Sequence, residues 1–221
     1  MPRGKLIVIE GLDGSGKATQ SQLLASRLHP ALRISFPDYS DESSALVKMY
    51  LSGGMGPAGE VNAYAASSFY ASDRYISYHS SWKKNHITGE TVIADRYTTS
   101  NAVHQMPKLP RSEWDSYLEW LYDYEFVRMK LPVPDIVIYL DMPPESAQKL
   151  MLERYGGNET LRDAHERDLA YQLSCREAAL YAADKLGWQI IPCCDTDEKL
   201  LTVDEISKKI LKGISAQDAG F

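Results

Sequence analysis

The sequence contains few cysteines and no excess of positive charge. Three of its 221 residues are cysteine, namely Cys175, Cys193 and Cys194, and the formal net charge is −6. An odd number of cysteines, two of them adjacent, fits neither a disulfide framework nor a zinc site, so we expect buried or incidental thiols. The negative charge argues against a general nucleic-acid or membrane-surface binder, although basic residues can still gather in a cleft.

Long hydrophobic runs are also missing. The apolar run at residues 6–9 is far too short for a membrane span or for the core of a signal peptide, so we expect a soluble cytoplasmic protein. Because 44% of the residues are hydrophobic, the chain can bury a sizeable core. The length suits one domain, which we predict over residues 1–214, followed by a polar tail at 215–221.

Short apolar strands alternate with helices along the chain. Strands are predicted at 6–9, 31–36, 91–94, 135–140 and 188–191. Helices are predicted at about 17–28, 43–51, 61–84, 111–129 and 203–211. Two more helices are predicted between 143 and 186, one that begins at about 143 and another that ends at about 186. This order predicts an α/β protein whose five-stranded parallel sheet is flanked by helices in three layers. Ligands bind beyond the carboxyl ends of such strands, which brings residues 10–17, 36–39, 95–96 and 141 around one crevice.

A glycine-rich stretch between the first strand and the first helix has the pattern of a phosphate-binding loop. Its backbone N–H groups and the helix N-terminus favour an anion, and Lys17 adds a mobile positive charge. We therefore predict that the phosphates of a nucleotide are bound by Gly11, Leu12, Asp13, Gly14, Ser15, Gly16, Lys17, Ala18 and Thr19.

The eighth position of this loop is unusual. Ala18 stands where Ser or Thr commonly supplies a hydroxyl to magnesium, and Thr19 follows one residue late. Since a helix turns about 100° per residue, the Thr19 hydroxyl should point elsewhere. Magnesium commonly keeps several waters, so we expect Mg²⁺ to be held mainly by phosphates, by water and by the carboxylates of Asp13 and Asp95.

Basic and aromatic residues form two further motifs. Arg96, directly after the third strand, can grip a second phosphate through two parallel hydrogen bonds. Tyr70 and Arg74 are four residues apart on a predicted helix and share a face, which suits a flat base with carbonyl edges. The alternative interpretations are a surface ion pair at Asp95 and Arg96, and a core aromatic at Tyr70 beside a solvated arginine.

In order and spacing, these motifs resemble the thymidylate kinase family from about residue 5 to 191. The most specific motif is Asp-Arg-Tyr-x-x-Ser-Asn-Ala at 95–102. The others are Gly-Leu-Asp-Gly-Ser-Gly-Lys at 11–17, Phe-Pro-x-Tyr at 36–39, Phe-Tyr-Ala-Ser-Asp-Arg at 69–74, and Pro-x-Pro-Asp at 132–135 with Tyr-Leu-Asp at 139–141. The resemblance implies a P-loop NTPase fold and transfer of the γ-phosphate of ATP to dTMP, with Mg²⁺ as cofactor. It also implies a homodimer, for which the helix at 61–84 is a candidate.

The resemblance also implies roles for the matched positions. Asp13, Lys17, Arg96 and Arg162 would be catalytic. Tyr70 would stack on thymine, while Arg74 and Asn101 would bind its edge. The whole substrate site would comprise Phe36, Pro37, Tyr39, Phe69, Tyr70, Arg74, Arg96, Ser100, Asn101, His104, Asp163 and Glu166.

A mobile lid over the donor phosphates would lie at about 154–166. Family members carry an arginine either inside the phosphate loop or in the lid. Because this loop has Gly14 and Ser15, the chain resembles the second, mainly bacterial type. Arg162 is the first choice for the lid arginine, with Arg154 and Arg167 behind it.

Several positions depart from the family pattern. The stretch at 38–40 lacks an arginine that the family often supplies to the acceptor phosphate, and Asp38 would repel that phosphate if it faced it. His104 replaces an aromatic residue, and the lid has fewer arginines than in many relatives. Two other functions therefore stay open: a P-loop deoxynucleoside kinase with a neutral acceptor, and a non-catalytic nucleotide-binding module.

Overall fold

One parallel sheet forms the centre of the computed structural model, which describes residues 2–154 and 168–218. Its strands are β1 (Leu6–Gly11), β2 (Ala31–Ser35), β3 (Thr91–Asp95), β4 (Ile136–Asp141) and β5 (Gln189–Pro192). They lie in the order β2-β3-β1-β4-β5, and every neighbouring pair is parallel. The predicted α/β class and five-stranded parallel sheet are confirmed.

Strand β1 lies in the middle of the sheet, and all six of its residues are buried. Ile7 and Ile9 belong to the hydrophobic core on one face, whereas Leu6 and Val8 belong to the core on the opposite face. Burial on both faces explains why this strand is a continuous apolar run. Side chains alternate along a strand, so Glu10 lies on the same face as Leu6 and Val8.

The helices of the described residues follow the strands in chain order. They are α1 (Lys17–Arg27), α2 (Ala45–Leu51), α3 (Ala63–Ser77), α4 (Lys83–Ile87), α5 (Thr99–His104), α6 (Trp114–Tyr122), α7 (Pro144–Arg154), α8 (Leu169–Leu186) and α9 (Val203–Asp218). Helices α1, α7 and α9 contribute to the core on one face of the sheet. Helices α5, α6 and α8 contribute to the core on the other, so the sheet lies between two helical layers.

Two of the predicted long helices contain π-helical turns. The helix predicted at 61–84 consists of α3, a π-helical turn at Tyr78–Trp82, and α4. The helix predicted at 111–129 consists of a 3-10 turn at Arg111–Glu113, α6, and a π-helical turn at Asp123–Arg128. Such turns are frequent at functional sites, and the second one carries the buried Glu125.

Two elements differ from the sequence-based expectation. Helix α5 is only six residues long and was not predicted, since a short segment shows little helical periodicity. Helix α9 continues to Asp218, beyond the predicted end at residue 211 and into the predicted polar tail. The extension has a physical cause, because Ile214 continues the buried stripe formed by Ile206 and Ile210.

Among the residues that the structure describes, no helix is both long enough and apolar enough to cross a bilayer.

A buried histidine makes the stability of this fold depend on pH. The side chain of His86 is buried beside Trp82, and its Nδ1 has no hydrogen-bond partner in the part of the chain that the structure describes. Burial, together with the positive charge of Arg3, lowers the pKa of His86 despite the opposing charge of Asp135. The unfolded chain therefore binds more protons than the folded chain at mildly acidic pH, and the free energy of unfolding falls as the pH drops below about 6.5.

We expect His86→Gln to weaken this pH dependence. Urea denaturation at pH 7 and pH 5 should show a smaller loss of unfolding free energy in the variant than in the unsubstituted protein. His29 is exposed, so His29→Gln is the matched control and should keep the full pH dependence. An identical loss in the His86 and His29 variants would contradict this account.

Candidate active site

A cavity of about 830 Å³ opens at the carboxyl ends of β2 and β3, beside the loop that follows β1. It lies where the sequence predicted a crevice, and its walls also come from α2, α3 and α5. A volume of this order suits small-molecule ligands. Asp141, which was also predicted for the crevice, is not among the lining residues, and Arg176 binds its carboxylate with distances of 2.7 and 2.9 Å.

The glycine-rich loop joins β1 to α1 and forms one end of the cavity. Gly14 and Gly16 have φ values of 83° and 85°, which side chains rarely adopt. A Cβ atom on Gly14 would lie 2.5 Å from the carbonyl oxygen of Ala147, whereas a Cβ on Gly16 would meet nothing within 4 Å. The backbone at Gly16 therefore faces open space at the N-terminus of α1, as an anion site requires.

Most of the residues predicted for this loop line the cavity. They are Asp13, Gly14, Gly16, Lys17, Ala18 and Thr19. Gly11, Leu12 and Ser15 do not line it, and the buried Ser15 hydroxyl has no hydrogen-bond partner among residues 2–154 and 168–218.

Lys17 holds its ammonium group against the loop. Its Nζ donates to the carbonyl oxygen of Leu12 at 2.8 Å and lies 3.7 Å from Asp13 Oδ1. Burial and the nearby charge of Arg96 lower the pKa of Lys17. A positive charge taken out of water in this way is well placed to attract phosphate oxygens.

Arg96 follows β3 and faces the loop from the other side of the cavity. Its φ is 70°, which is uncommon for a residue with a side chain and is typical of functional sites. Its guanidinium group binds Asp13 Oδ1 and lies 3.4 Å from both Glu10 Oε1 and Ser100 Oγ. The arginine is thus fixed in direction before any ligand binds.

Glu10 is the buried carboxylate behind this arginine. Its side chain is fully buried, and it accepts hydrogen bonds from Thr99 Oγ1 at 2.7 Å and from Ser100 Oγ at 2.6 Å. It also accepts the backbone N–H of Gly11 at 2.9 Å. A buried charge needs such partners, and here the partners connect the loop to the segment after β3.

The carboxylate of Asp13 lies between the two cationic groups. Burial opposes its ionisation, but the charges of Arg96 and Lys17 outweigh burial and lower the pKa of Asp13. Asp13 therefore stays ionised at neutral pH.

Asp95 is the other carboxylate predicted to meet a metal. Arg33 donates to Asp95 Oδ2 at 2.9 Å and to Ser21 Oγ at 2.8 Å. Within residues 2–154 and 168–218, no group of three or more His, Cys, Asp or Glu side chains could hold a metal ion. Magnesium does not require such a group, since it takes one or two protein carboxylates and fills its other positions with phosphate and water.

Aromatic rings form the far end of the cavity. Tyr70 and Tyr50 line it, with their ring centroids 6.1 Å apart in an edge-to-face arrangement. Phe69, which was predicted for the same site, does not line the cavity and packs on Tyr50 at 6.3 Å.

Glu125 organises the polar groups at this end. Arg74 donates to its two oxygens at 2.7 and 2.5 Å, Asn101 Nδ2 donates at 3.1 Å, and Thr98 Oγ1 donates at 2.7 Å. The carboxylate is fully buried and leaves other N–H groups of Arg74 for the cavity that this residue lines. Arg74 and Asn101 are thereby held side by side.

The segment after β2 closes one side of the cavity. Phe36, Pro37 and Tyr39 line it. The Asp38 carboxylate instead accepts hydrogen bonds from the backbone N–H and the hydroxyl of Ser40, and Asp38 is not among the lining residues. The backbone N–H of Asp38 is held by the buried Asp73 at 3.1 Å, so the geometry does not direct the Asp38 charge into the site.

His104 and Ser100 complete the wall on α5. His104 Nε2 lies 3.0 Å from Arg96 Nη1, and its Nδ1 lies 3.7 Å from Cys175 Sγ. Burial raises the pKa of Cys175 to about 12, which disfavours the thiolate form at neutral pH. All three cysteines are free, and Cys175 and Cys193 are buried, in agreement with the expectation of incidental thiols.

The predicted lid lies almost entirely outside the described residues. Arg162, Asp163, Glu166 and Arg167 fall within 155–167, and Arg154 is described by its backbone alone.

Sequence reasoning missed the residues that orient the site. Glu10 was predicted only to lie at the crevice and was given no role there, and neither Glu125 nor Arg33 was predicted for the site. A charged residue inside an otherwise apolar strand run was the available signal for Glu10, because charges are rarely buried without a purpose. Glu125 had no comparable signal in the sequence.

Comparisons with known proteins agree with this geometry. The family profile described as thymidylate kinase matches residues 9–203. The chain is 30% identical to a thymidylate kinase of Arabidopsis thaliana over 219 residues, which cover 95% of this chain and 70% of that protein. It is 32% identical to a thymidylate kinase of Mycobacterium tuberculosis over 190 residues, which cover 80% and 84%. A solved structure of thymidylate kinase from Candida albicans has the same fold, with a TM-score of 0.71 at 22% identity over 98% of this chain and 93% of that one.

The buried pair of Arg74 and Glu125 yields a stability prediction. Glu125→Gln leaves the Arg74 guanidinium buried without a compensating charge, so we expect the free energy of unfolding to fall by about 3–5 kcal/mol. Urea denaturation measures this loss.

The matched control is an arginine–glutamate pair that lies on the surface. Arg111 and Glu177 lie 3.9 Å apart and are both exposed, so Glu177→Gln should leave the stability essentially unchanged. Equal losses in the two glutamine variants would show that the Glu125 pair is no more important than a surface contact.

Proposed function

This chain belongs to the thymidylate kinase family, and from that premise we propose that it transfers the γ-phosphate of ATP to dTMP, giving ADP and dTDP. The observation that carries the proposal is the position of Arg96. Its guanidinium lies between the glycine-rich loop and the aromatic end of one cavity, held by Asp13 and Glu10. A cation at that point suits a substrate that places a phosphate there and a base beyond it.

The glycine-rich loop would bind the donor. The N–H groups at the start of α1 and the ammonium of Lys17 would carry the ATP phosphates. Phosphoryl transfer requires that two like-charged phosphates be held in line and that their charge be neutralised, and the protein contributes little covalent chemistry. Lys17 on one side and Arg96 on the other support this arrangement, since both line the same cavity.

Arg96 would hold the acceptor phosphate, with Tyr39 assisting. Ser100 and His104 flank the guanidinium at 3.4 and 3.0 Å and would limit how the phosphate and sugar enter. Asp13 occupies one side of the Arg96 fork, so its carboxylate would lie near the sugar hydroxyl and the transferred group.

Tyr70, Arg74 and Asn101 would bind the thymine base. The Tyr70 ring offers a flat apolar face, and the Arg74 guanidinium can donate to a base carbonyl. Asn101 donates its amide N–H groups to Ser67 and Glu125, which leaves Oδ1 as its acceptor for a base N–H. Pro37 and Phe36 would lie close to the thymine methyl.

Magnesium would supply positive charge that neutralises the phosphates. Asp13 and Asp95 would be the protein carboxylates that hold it. Ala18 adds no oxygen ligand, so phosphate and water would fill the remaining positions.

The lid would complete the site. Arg162 is proposed as the arginine that closes over the transferring phosphate, and Asp163 and Glu166 as acidic residues next to it. The roles of these three residues are proposed from their match to the family pattern alone.

A cytoplasmic homodimer is also part of the proposal. Tyr75 and Ile76 on α3 are exposed apolar side chains, which supports the long helix as a contact between two subunits.

Initial rates with ATP, magnesium and a panel of acceptors test the proposed reaction. dTMP should be the preferred acceptor over dUMP, dGMP and thymidine. A preference for thymidine would identify a deoxynucleoside kinase instead. Tight ATP binding without turnover on any acceptor would identify a non-catalytic nucleotide-binding module.

Arg96→Ala should lower kcat/KM for dTMP at least about a hundredfold, because a charge-assisted contact to the acceptor phosphate is lost. ATP binding, measured by calorimetry, should survive. Arg176→Ala is the matched control, since Arg176 pairs with Asp141 outside the cavity and should leave turnover close to normal. Near-normal turnover of Arg96→Ala would remove Arg96 from this role.

Ala18→Ser should change the magnesium concentration at half-maximal rate by less than about tenfold, because phosphates and water supply most of the ligands. Titration of magnesium at saturating ATP and dTMP measures the effect. A gain in magnesium affinity of more than about tenfold would mean that the missing hydroxyl is a more important ligand than proposed here.

A further inference from the structure

Lys108 is a partly buried lysine that binds no carboxylate in the described structure. It ends the 3-10 turn Met106–Lys108, which follows α5. Its Nζ donates to the hydroxyl of Tyr50 at 2.8 Å and to the carbonyl oxygens of Ala58 and Val61 at 2.6 and 3.3 Å. All three acceptors are uncharged, and three is the full number of donors on an ammonium group.

Two of these acceptors lie in the glycine-rich connection between α2 and α3, residues 53–61. The backbone hydrogen bonds of this connection are local and stay within residues 49–60. Within the described part of the chain, the hydrogen bonds that reach the connection from outside residues 49–61 come from Lys108. Four of its nine residues are glycine, so its backbone depends on such external contacts for a fixed conformation.

The third acceptor leads directly to the cavity. Tyr50 is fully buried, lines the cavity and donates its hydroxyl to Ala58 O at 3.1 Å. Lys108 Nζ lies 5.0 Å from the centre of the Tyr50 ring, and that ring packs edge-to-face on Tyr70. Two contacts therefore connect the ammonium of Lys108 with the ring that faces the base.

We propose that Lys108 is a positioning residue for the acceptor: its ammonium holds Tyr50 and the connection 53–61 in place, and so fixes Tyr70 for base stacking. This rests on the proposed function for the identity of the acceptor. Lys108 itself does not touch the substrate and acts through Tyr50.

The electrostatics of Lys108 add a pH dependence to this role. Burial lowers the pKa of Lys108 to about 8. The titratable groups that face it in the described structure are the Tyr50 hydroxyl and the Cys175 thiol, and burial raises the pKa of both. Lys108 is therefore the member of this cluster that loses its charge as the pH rises through about 8, and acceptor binding should weaken in that range.

Lys108→Met keeps the apolar stem and removes the donors. We expect KM and the calorimetric dissociation constant for dTMP to rise about tenfold, or about 1.4 kcal/mol, because binding would then have to bring Tyr50 and Tyr70 into position. We expect kcat to change less than about threefold and ATP affinity to stay constant, since the phosphate-binding residues remain. A merely structural role would lower stability without this split between KM and kcat.

Lys185→Met is the matched control. Lys185 also lies over a tyrosine ring, 5.4 Å from the centre of Tyr181, but on the surface and away from the cavity. The Lys185→Met variant should bind dTMP with the same affinity as the unsubstituted protein. Tyr50→Phe, which keeps the ring and removes only the hydroxyl, should weaken dTMP binding in the same direction as Lys108→Met.

Two further readouts complete the test. Hydrogen exchange at pH 7 should be faster for the amides of residues 53–61 in Lys108→Met than in the Lys185 control. Between pH 7 and 9, dTMP binding should weaken in the unsubstituted protein and stay level in Lys108→Met.

Unchanged exchange in residues 53–61, or dTMP affinity within twofold of the control, would overturn the role of Lys108. The exchange measurement needs no acceptor, so it tests whether Lys108 holds the connection 53–61 in place even if the acceptor panel shows that dTMP is not the substrate.

Discussion

The glycine-rich end of the cavity depends on the hydrogen bonds and the charge of the buried Glu10 carboxylate. It lies at the carboxyl end of the central strand and accepts hydrogen bonds from Gly11, Thr99 and Ser100, while Arg96 lies 3.4 Å away. One charge thus connects the glycine-rich loop with the segment after β3. Because a buried charge is stable only when it is fully partnered, the two segments are held in one relative position.

A second buried carboxylate gives the aromatic end of the cavity the same construction. Glu125 lies on a π-helical turn and joins Arg74 of α3 to Thr98 and Asn101 near α5. Each end of the cavity therefore has a cation whose direction is fixed by a carboxylate behind it. Arginines prepared in this way need little rearrangement when a ligand arrives, and such preorganisation is the main source of catalytic power in sites that act by charge.

The sequence predicted the parts of this structure that have a local signal. The five strands, the glycine-rich loop and the position of Arg96 after β3 follow from apolar runs, glycine spacing and the geometry of parallel sheets. The pairing of Arg74 with Glu125 spans 51 residues and has no local signal, which is why Arg74 was interpreted as a ligand for the base or as a solvated arginine, and not as half of a buried ion pair. Phe69 illustrates a related limit, because neighbours on one helix can face different ways and only Tyr70 lines the cavity.

The role proposed for Arg96 depends on Glu10, because this carboxylate fixes the direction of the guanidinium group beside the glycine-rich loop. Calorimetric binding of dTMP and of thymidine to the unsubstituted protein and to Glu10→Gln measures this dependence. We expect dTMP to bind the unsubstituted protein at least about a hundredfold more tightly than thymidine, and Glu10→Gln to lower this ratio about tenfold. If the ratio is the same in both proteins, Glu10 does not position Arg96 for a phosphate.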